Sequence, residues 1–181
     1  MPECFQTPIS GLKLIKPAVF SDSRGYFIES YNESDFASAG IVGKFVQDNR
    51  SMSAKGALRG LHFQKPPFAQ AKLVHVISGS VLDIVVDIRK SSETYGKHYG
   101  VELSGDNFLQ LYIPEGFAHG FLTLEDRTVF AYKCMDYYDK PSEDGLMWND
   151  PALAIPWGAS EPILSDKDKN FIGFDRFISP F

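Results

Sequence analysis

The sequence of 181 residues lacks the features that mark several protein classes. It holds only two cysteines, Cys4 and Cys134, which are too few for a disulfide framework, so we expect free thiols in a reducing compartment. No apolar run approaches the roughly 20 residues that span a bilayer. The first residues also lack the basic and apolar regions of a signal peptide. These absences predict a cytoplasmic protein with no membrane partner.

Clusters of positive charge are lacking as well. The formal net charge is -5, from 18 Lys and Arg against 23 Asp and Glu, and no Lys/Arg run is present. Because nucleic-acid binding normally needs a basic patch, we expect no nucleic-acid partner. No linker, repeat or low-complexity stretch divides the chain. Its length fits one domain over residues 1–181.

Helical signals are few, whereas strand signals are frequent. The clearest strand runs over 81–88, where one face is wholly apolar and the other carries Asp83 and Asp87 beside two valines. Further strands are predicted at 72–77, 99–103, 107–113, 120–124 and 128–135, with a turn at 78–80. Many short strands separated by Gly and Pro are typical of a sandwich or barrel.

Two short helices complete this prediction. Asn32 is a candidate N-cap for a helix through Ala39 that Gly40 ends. A second short helix is predicted after Ser165, with Asp166 in its first turn.

Several polar residues stand in or beside the predicted strands. His62 lies three residues after Arg59, Lys72 begins the next strand, and His119 follows a Pro-Glu-Gly turn. Tyr132 lies in the last predicted strand. Alone, a strand His is most often structural, a Tyr usually packs, and Pro-x-Gly is usually a turn. Only their combination points to chemistry.

One part of that combination resembles the cupin superfamily. Gly105 followed by Pro114-x-Gly116-x-x-His119 is similar to the second cupin motif. The first motif normally supplies His-x-His and a Glu as metal ligands, but this chain has His62-Phe63-Gln64. A catalytic metal typically needs three protein ligands. A set of His62, His75 and His119 is an alternative that the apolar neighbours of His75 disfavour.

A closer resemblance is to the dTDP-4-dehydrorhamnose 3,5-epimerase family, and it runs from about Gly11 to Asp168. Motifs in the right order over most of the chain make it specific. The matching segments are Asp22-x-Arg24-Gly25-x-Phe27-x-Glu29, Phe45-Val46-Gln47-Asp48-Asn49, Leu58-Arg59-Gly60-Leu61-His62, Val86-Asp87-Ile88-Arg89, Pro114-x-Gly116-Phe117-Ala118-His119-Gly120-Phe121, Tyr132-Lys133 and Trp148-Asn149-Asp150-Pro151.

The resemblance implies a mainly β fold, a cupin-type double-stranded β-helix (jelly-roll) barrel with a few short helices. It also implies epimerisation at C3 and C5 of dTDP-4-dehydro-6-deoxy-D-glucose, a dTDP-linked 4-keto-6-deoxy sugar, to dTDP-4-dehydro-L-rhamnose. The C4 ketone acidifies both carbons and serves as the electron sink, so no cofactor and no metal are expected.

Catalytic roles follow from the same resemblance. His62 is the implied base and Asp168 its dyad partner, which suits an imidazole that titrates near neutral pH. Tyr132 is the implied acid. Lys72 is implied at the enolate oxygen, where charge develops.

Substrate binding is implied for a larger set. Arg24 and Arg59 suit diphosphate oxygens, because guanidinium matches phosphate geometry. Phe27 or Tyr138 suits stacking on the base, and Asp83 is a candidate support for the site. Arg50 stands where the family commonly has His, which bears on nucleotide contacts. The implied binding residues are Arg24, Phe27, Glu29, Gln47, Asn49, Arg59, Lys72, His119, Tyr138 and Glu143.

Alternatives stay open at this point. A C3-only or C5-only epimerase of a related 4-keto sugar nucleotide would share the catalytic residues, so sequence separates it poorly. A non-catalytic cupin that binds a sugar nucleotide predicts the loss of at least one catalytic residue, and none is lost. A metal-dependent cupin is disfavoured by the missing His-x-His. The resemblance also implies a homodimer, with the segment around Phe20 and residues 26–31 as a candidate pairing edge.

Overall fold

Thirteen short β-strands and one short α-helix form the chain in the computed structural model, which describes residues 1–181. The strands are β1 (Glu3–Gln6), β2 (Lys13–Lys16), β3 (Val19–Asp22), β4 (Gly25–Ile28), β5 (Gln47–Ser53), β6 (Leu58–Gln64), β7 (Lys72–Ser78), β8 (Ser80–Asp87), β9 (His98–Ser104), β10 (Gln110–Ile113), β11 (Phe117–Thr123), β12 (Thr128–Cys134) and β13 (Glu143–Gly145). The helix α1 spans Glu33–Ser38, and two 3₁₀ turns span Lys140–Ser142 and Phe174–Arg176.

Two antiparallel sheets face each other. The six-stranded sheet has the order β1-β2-β10-β7-β12-β5, and the five-stranded sheet has the order β13-β6-β11-β8-β9. Strands β3 and β4 pair only with each other, as a separate hairpin. Between the sheets lies a core of 12 buried residues drawn from both, including Val74, Phe130, Val85 and Phe121. The predicted mainly β barrel of the cupin type is confirmed.

Strand β8 is packed on both faces, which accounts for the many apolar residues at 81–88. Val81 and Val85 pack in the core between the sheets. Ile84 and Val86 pack on the other face of the five-stranded sheet, in a second cluster with Trp157. A strand that is covered on both faces buries nearly every side chain, so its apolar residues do not alternate with exposed polar ones.

One predicted strand begins later than expected. The prediction for 107–113 is wrong in its first half, since β10 begins at Gln110. Asn107 closes a turn instead, because its side-chain oxygen accepts hydrogen bonds from the N–H groups of Ser104 and Leu109. Phe108 has a positive φ of 56°, which no regular strand accommodates.

The two predicted helices have different outcomes. The first is confirmed, because Asn32 accepts hydrogen bonds from the N–H groups of Ser34 and Asp35 at the start of α1. The second is wrong, since residues 166–169 form only a turn. The side chain of Asn170 donates to the carbonyl of Asp166 at 2.6 Å, in competition with the backbone bonds of a helix. No helix here is long or apolar enough to cross a membrane.

Candidate active site

A cavity of about 640 Å³ is lined by residues of both sheets. It gathers all but three of the site residues predicted from the sequence. Those on its wall are His62, Tyr132, Asp168, Lys72, Gln47, Asn49, Arg59, His119, Tyr138 and Glu143. Gln47 and Asn49 lie on β5, Arg59 and His62 on β6, and Asp168 on the turn at 166–169.

A β-bulge places Arg59 and His62 on the same wall. In a regular strand, residues three apart point to opposite faces. Here His119 of β11 pairs with His62 and Phe121 pairs with Arg59, so Gly60 and Leu61 together oppose the single Gly120. Gly60 has a φ of +137°, and a Cβ on it would lie 2.4 Å from the Cα of Gly120. Only glycine fits this close backbone approach.

His62 and Asp168 form a short hydrogen-bonded pair. Nε2 of the imidazole lies 2.5 Å from Oδ1 of Asp168, whose side chain is only 4% exposed. The hydroxyl of Ser165 donates to the other carboxylate oxygen at 2.7 Å. Burial raises the pKa of Asp168, but the hydrogen bonds from His62 and Ser165 outweigh it, and the pKa is lowered overall. The carboxylate therefore stays ionised against the ring, and Nδ1 of His62 is left for the cavity.

A second pair joins His119, on the same cavity wall, to Asp83 behind it. Nε2 of His119 is 2.8 Å from Oδ2 of Asp83, which is fully buried on β8. The ring of His119 stacks on Phe130 at a centroid distance of 6.2 Å. The suggested support from Asp83 therefore has a defined form, since this carboxylate fixes the orientation of His119.

Lys72 and Tyr132 enter the cavity from the six-stranded sheet. Burial lowers the pKa of Lys72, because the charged ammonium loses its hydration, and its Nζ donates to Gln70 at 3.1 Å. Burial also raises the pKa of Tyr132, with the nearby Cys134 and Glu143 acting in the same direction. The phenol is thus protonated at neutral pH. The ammonium gives up a proton more readily than a free lysine.

The rim of the cavity carries a small polar network. The hydroxyl of Tyr138 donates to Glu143 at 3.0 Å, and Lys167 forms an ion pair with the same carboxylate at 2.7 Å. The backbone N–H of Tyr138 donates to the side chain of Gln47 at 2.8 Å. This network ties the loop after β12 to the turn that carries Asp168.

Strand β5 sends alternate residues into the cavity. Gln47, Asn49 and Ser51 line the wall, whereas Arg50 is exposed on the opposite face of the sheet. The departure from the family at Arg50 therefore does not touch the cavity of its own chain.

Three predicted binding residues lie outside the cavity. Arg24 sits at the tip of the β3–β4 hairpin, 87% exposed, and forms an ion pair with Asp22. Phe27, on the same hairpin, is 65% exposed. Glu29 is exposed and accepts a hydrogen bond from Asn32. That these three residues bind substrate stays a prediction, since they lie away from this wall, on or directly after a hairpin that pairs with neither main sheet.

Sequence reasoning missed several residues of the wall. Lys167 and Ser165 flank Asp168 and could have been found from that proximity. Ser51 follows from strand alternation after Gln47 and Asn49. Gln70 and the stacked pair Phe121 and Phe130 carry no local signal. The missed wall residues are Ser51, Ala57, Leu58, Phe63, Gln64, Gln70, Phe121, Phe130, Ile163, Leu164, Ser165 and Lys167.

The residues at the usual cupin metal position do not fit a metal. No group of three or more His, Cys, Asp or Glu side chains is arranged to hold one. Gln64 stands in place of the second His. Its side-chain nitrogen donates to the carbonyl of Phe68, and its side-chain oxygen accepts from the N–H of Asp139. His75 alternates with Val74 and Val76, which face the core, so it points away from His62 and His119.

Comparisons with known proteins agree with this geometry. The model of the family described as dTDP-4-dehydrorhamnose 3,5-epimerase matches residues 6–176. A Shigella flexneri protein of that name is 50% identical, with 96% of this chain and 98% of the relative covered. The crystal structure of an epimerase of that name from Elizabethkingia anophelis superposes with a TM-score of 0.92 at 50% identity, covering 96% and 97% of the two chains.

A second solved structure carries a sugar nucleotide. It is a dTDP-6-deoxy-D-glucose-3,5-epimerase from Legionella pneumophila in complex with dTDP-4-keto-L-rhamnose. It is 44% identical, with a TM-score of 0.94 over 98% of this chain and 95% of that one. The family match and the relatives extend over nearly the whole chain. The protein therefore belongs to the dTDP-4-dehydrorhamnose 3,5-epimerase family.

Proposed function

We propose that the protein epimerises C3 and C5 of dTDP-4-dehydro-6-deoxy-D-glucose to give dTDP-4-dehydro-L-rhamnose, as a step of dTDP-L-rhamnose synthesis. One observation carries the proposal. A His backed by a buried carboxylate and a protonated Tyr stand on opposite sheets across one cavity, and a half-buried Lys lies on the same sheet as the Tyr. Inversion of a carbon needs a base on one face of the sugar and an acid on the other, and this arrangement provides both.

His62 is the proposed base. Its ring is 29% exposed toward the cavity, and Asp168 holds Nε2, so Nδ1 can accept the proton next to the C4 ketone. The carboxylate stabilises the imidazolium that forms and fixes the tautomer beforehand. General-base catalysis of this kind contributes about 10²- to 10⁴-fold to a rate.

Lys72 and Tyr132 are proposed to handle the enolate. The Lys72 ammonium donates to the developing oxyanion in a largely buried site, where electrostatic stabilisation is stronger than in water. Tyr132 keeps its proton at neutral pH and delivers it to the opposite face of the carbanion. The ketone accepts the electron pair at each carbon, so the mechanism uses no cofactor and no metal.

The nucleotide is proposed to lie along the rim. Arg59 and Lys167 offer positive charge for the diphosphate, and Lys167 would exchange Glu143 for phosphate oxygens. Tyr138 is 53% exposed at the mouth, where its ring can stack on the base. Gln47 and Asn49 offer amides nearby, and His119 faces the sugar. The cytoplasmic location stays a prediction from the sequence.

We propose a homodimer in which the β3–β4 hairpin of one copy completes the cavity of the other. Phe20 and Phe27 on this hairpin are 63% and 65% exposed, which is unusual for aromatic side chains and typical of an interface. Arg24 and Glu29, implied as substrate-binding, lie there rather than on their own chain's cavity. A second copy of the chain would both cover the exposed aromatic rings and bring Arg24 and Glu29 to a cavity.

Mixing two defective variants tests the shared site. Neither Arg24→Ala nor His62→Asn alone should have more than residual activity. In a mixed dimer, one cavity has an intact His62 and receives the intact Arg24 of the other chain, so activity should return. The absence of any recovery in dimers shown by light scattering to have exchanged, or a fully active monomer, would rule out the shared cavity.

Deuterium incorporation tests the reaction itself. The protein is incubated with dTDP-4-keto-6-deoxyglucose in D2O and the sugar is read by NMR. Deuterium at both C3 and C5 with the L-rhamno product is the expected result. Deuterium at one carbon would instead establish a C3-only or C5-only epimerase, and none at either carbon would refute epimerase activity on this substrate.

A further inference from the structure

The carboxylate of the His62–Asp168 pair does not belong to the barrel. Asp168 sits on the turn at 166–169, which follows the parallel bridge of Ile163 with Ala57 and precedes the bridge of Ile172 with Leu146. The turn is therefore held at both ends beside β6 and β13. The orientation of the His62 imidazole against Asp168 therefore depends on the side chains of the segment between these two bridges.

Phe171 lies in that segment, directly before Ile172. Its ring lies 5.6 Å from the ring of His62, centroid to centroid, at an interplanar angle of 67°, which is an edge-on contact. Beneath it is Gly145, the register partner of His62 in the β13–β6 pair. A Cβ on Gly145 would lie 2.6 Å from Cε2 and Cζ of Phe171, so the glycine provides the space that the ring fills.

We propose that Phe171, seated over Gly145, is a positioning residue that holds the His62 imidazole in line with Asp168. This inference rests on the proposed function of His62 as the base. A His ring with only one hydrogen bond can still rotate about that bond and tilt. The aromatic wall on one side and the carboxylate at Nε2 together restrict the ring to one orientation, with Nδ1 toward the cavity.

The expected cost of losing this wall is in turnover rather than in binding. A misplacement of about 1 Å at a reacting group can cost up to about 100-fold in rate. We expect Phe171→Leu, which keeps apolar volume but loses the flat edge, to lower kcat about 10-fold. The KM should stay within about two-fold, because Phe171 is not on the cavity wall. Phe171→Tyr keeps the ring and should restore most of kcat.

Phe174→Leu is the matched control. Phe174 lies three residues further along the same segment and packs against Tyr95 and Phe177, without contact to His62. If Phe174→Leu lowers kcat as much as Phe171→Leu, with parallel losses of melting temperature, the effect is general packing and the proposal fails. Calorimetric titration with dTDP gives the folded fraction of each variant. Phe171→Met substitutes if the Leu variant does not fold.

An NMR measurement separates this proposal from the proposed function. The proton in the short His62–Asp168 bond should give a far-downfield signal in the free protein, absent from Asp168→Asn. We expect the signal to weaken or exchange faster in Phe171→Leu and to persist in Phe171→Tyr and Phe174→Leu. An unchanged signal and kcat in Phe171→Leu would overturn the positioning role. A wild-type protein without epimerase activity would instead overturn the function, while the signal still reports on Phe171.

Discussion

Two histidines line one cavity, each bonded to an aspartate, yet the two His–Asp pairs are built differently. His62 and His119 face each other in register across β6 and β11. The partner of His119 is Asp83, on the strand next to β11, whereas the partner of His62 is Asp168, 106 residues away on a turn outside the sheets. The His119 side chain is 11% exposed and the His62 side chain 29%.

This difference leads us to propose different roles for the two histidines. His119 is held between a fully buried carboxylate and Phe130, so its ring is fixed in one orientation. His62 has an open nitrogen, a larger exposed face and a carboxylate that Ser165 keeps ionised. A His–Asp pair can therefore have different roles, depending on which elements hold its two residues. We infer that His119 shapes the sugar site while His62 moves the proton.

The largest effect should follow from removal of the base. We expect His62→Asn to lower kcat/KM by about 10³-fold or more, within the range for a lost general base. Binding of dTDP, measured by calorimetry, should stay within a few-fold, because the substitution preserves size and leaves the rim intact. Activity within 10-fold of wild type would place the base elsewhere.

The carboxylates should rank in the same order as their histidines. Asp168→Asn should lower kcat about 10³-fold, because the amide cannot stabilise an imidazolium and favours the wrong tautomer. Asp83→Asn should cost less than about 30-fold, since it alters only the orientation of His119. Steady-state kinetics give kcat for both variants. Equal losses of kcat in the two would contradict the different roles proposed for the two pairs.

Ser165 gives a smaller and more local test. Ser165→Ala removes one hydrogen bond to a charged carboxylate, worth about 1.5 kcal/mol, so kcat should fall about 10-fold. The lowered pKa of Asp168 should rise at the same time. Its carboxyl resonance, followed by NMR through an acid titration, reports the change. No movement of that midpoint would mean that Ser165 does not support the dyad.

Asp87 provides a buried carboxylate outside the site for comparison. It lies four residues after Asp83 on β8 and is bound by Arg89, Ser92 and Thr94. Burial opposes ionisation, but these hydrogen bonds lower the pKa to about 2. A carboxyl whose pKa is lower in the folded state stabilises the fold above the unfolded pKa near 4, and this contribution disappears as the pH falls through about 2.

Asp87→Asn should therefore change stability without changing the chemistry. We expect its free energy of unfolding in urea to be about 2 kcal/mol lower than wild type at pH 7. The gap should narrow between pH 4 and pH 2, and kcat should stay within about two-fold. A gap that does not depend on pH would show that Asp87 acts by packing alone.

Much of the fold was predictable because its elements depend on local patterns. The apolar strand at 81–88 and the cap at Asn32 each depend on a few neighbouring residues, and both predictions are confirmed. The predicted helix after Ser165 failed because a side chain, that of Asn170, competes with the backbone. That bond spans only four residues, but helix propensity does not decide between it and the backbone bond of a helix.

The site was less predictable from patterns alone. Period-two reasoning puts Arg59 and His62 on opposite faces, and only the bulge at Gly60 brings them together. The partnership of His62 with Asp168 spans 106 residues and followed from family resemblance rather than from spacing. Arg24 and Phe27 matched the family motif but lie on an exposed hairpin away from the cavity, because no local pattern in the sequence fixes where that hairpin sits.

Deuterium exchange by two single variants distinguishes the roles of His62 and His119. His62→Asn and His119→Asn are each incubated with dTDP-4-keto-6-deoxyglucose in D2O, and exchange at C3 and C5 is followed by NMR. We predict no exchange above background with His62→Asn, and exchange at both carbons with His119→Asn at a rate within about 10-fold of wild type. Exchange that persists in His62→Asn and disappears in His119→Asn would contradict the assignment of the two pairs.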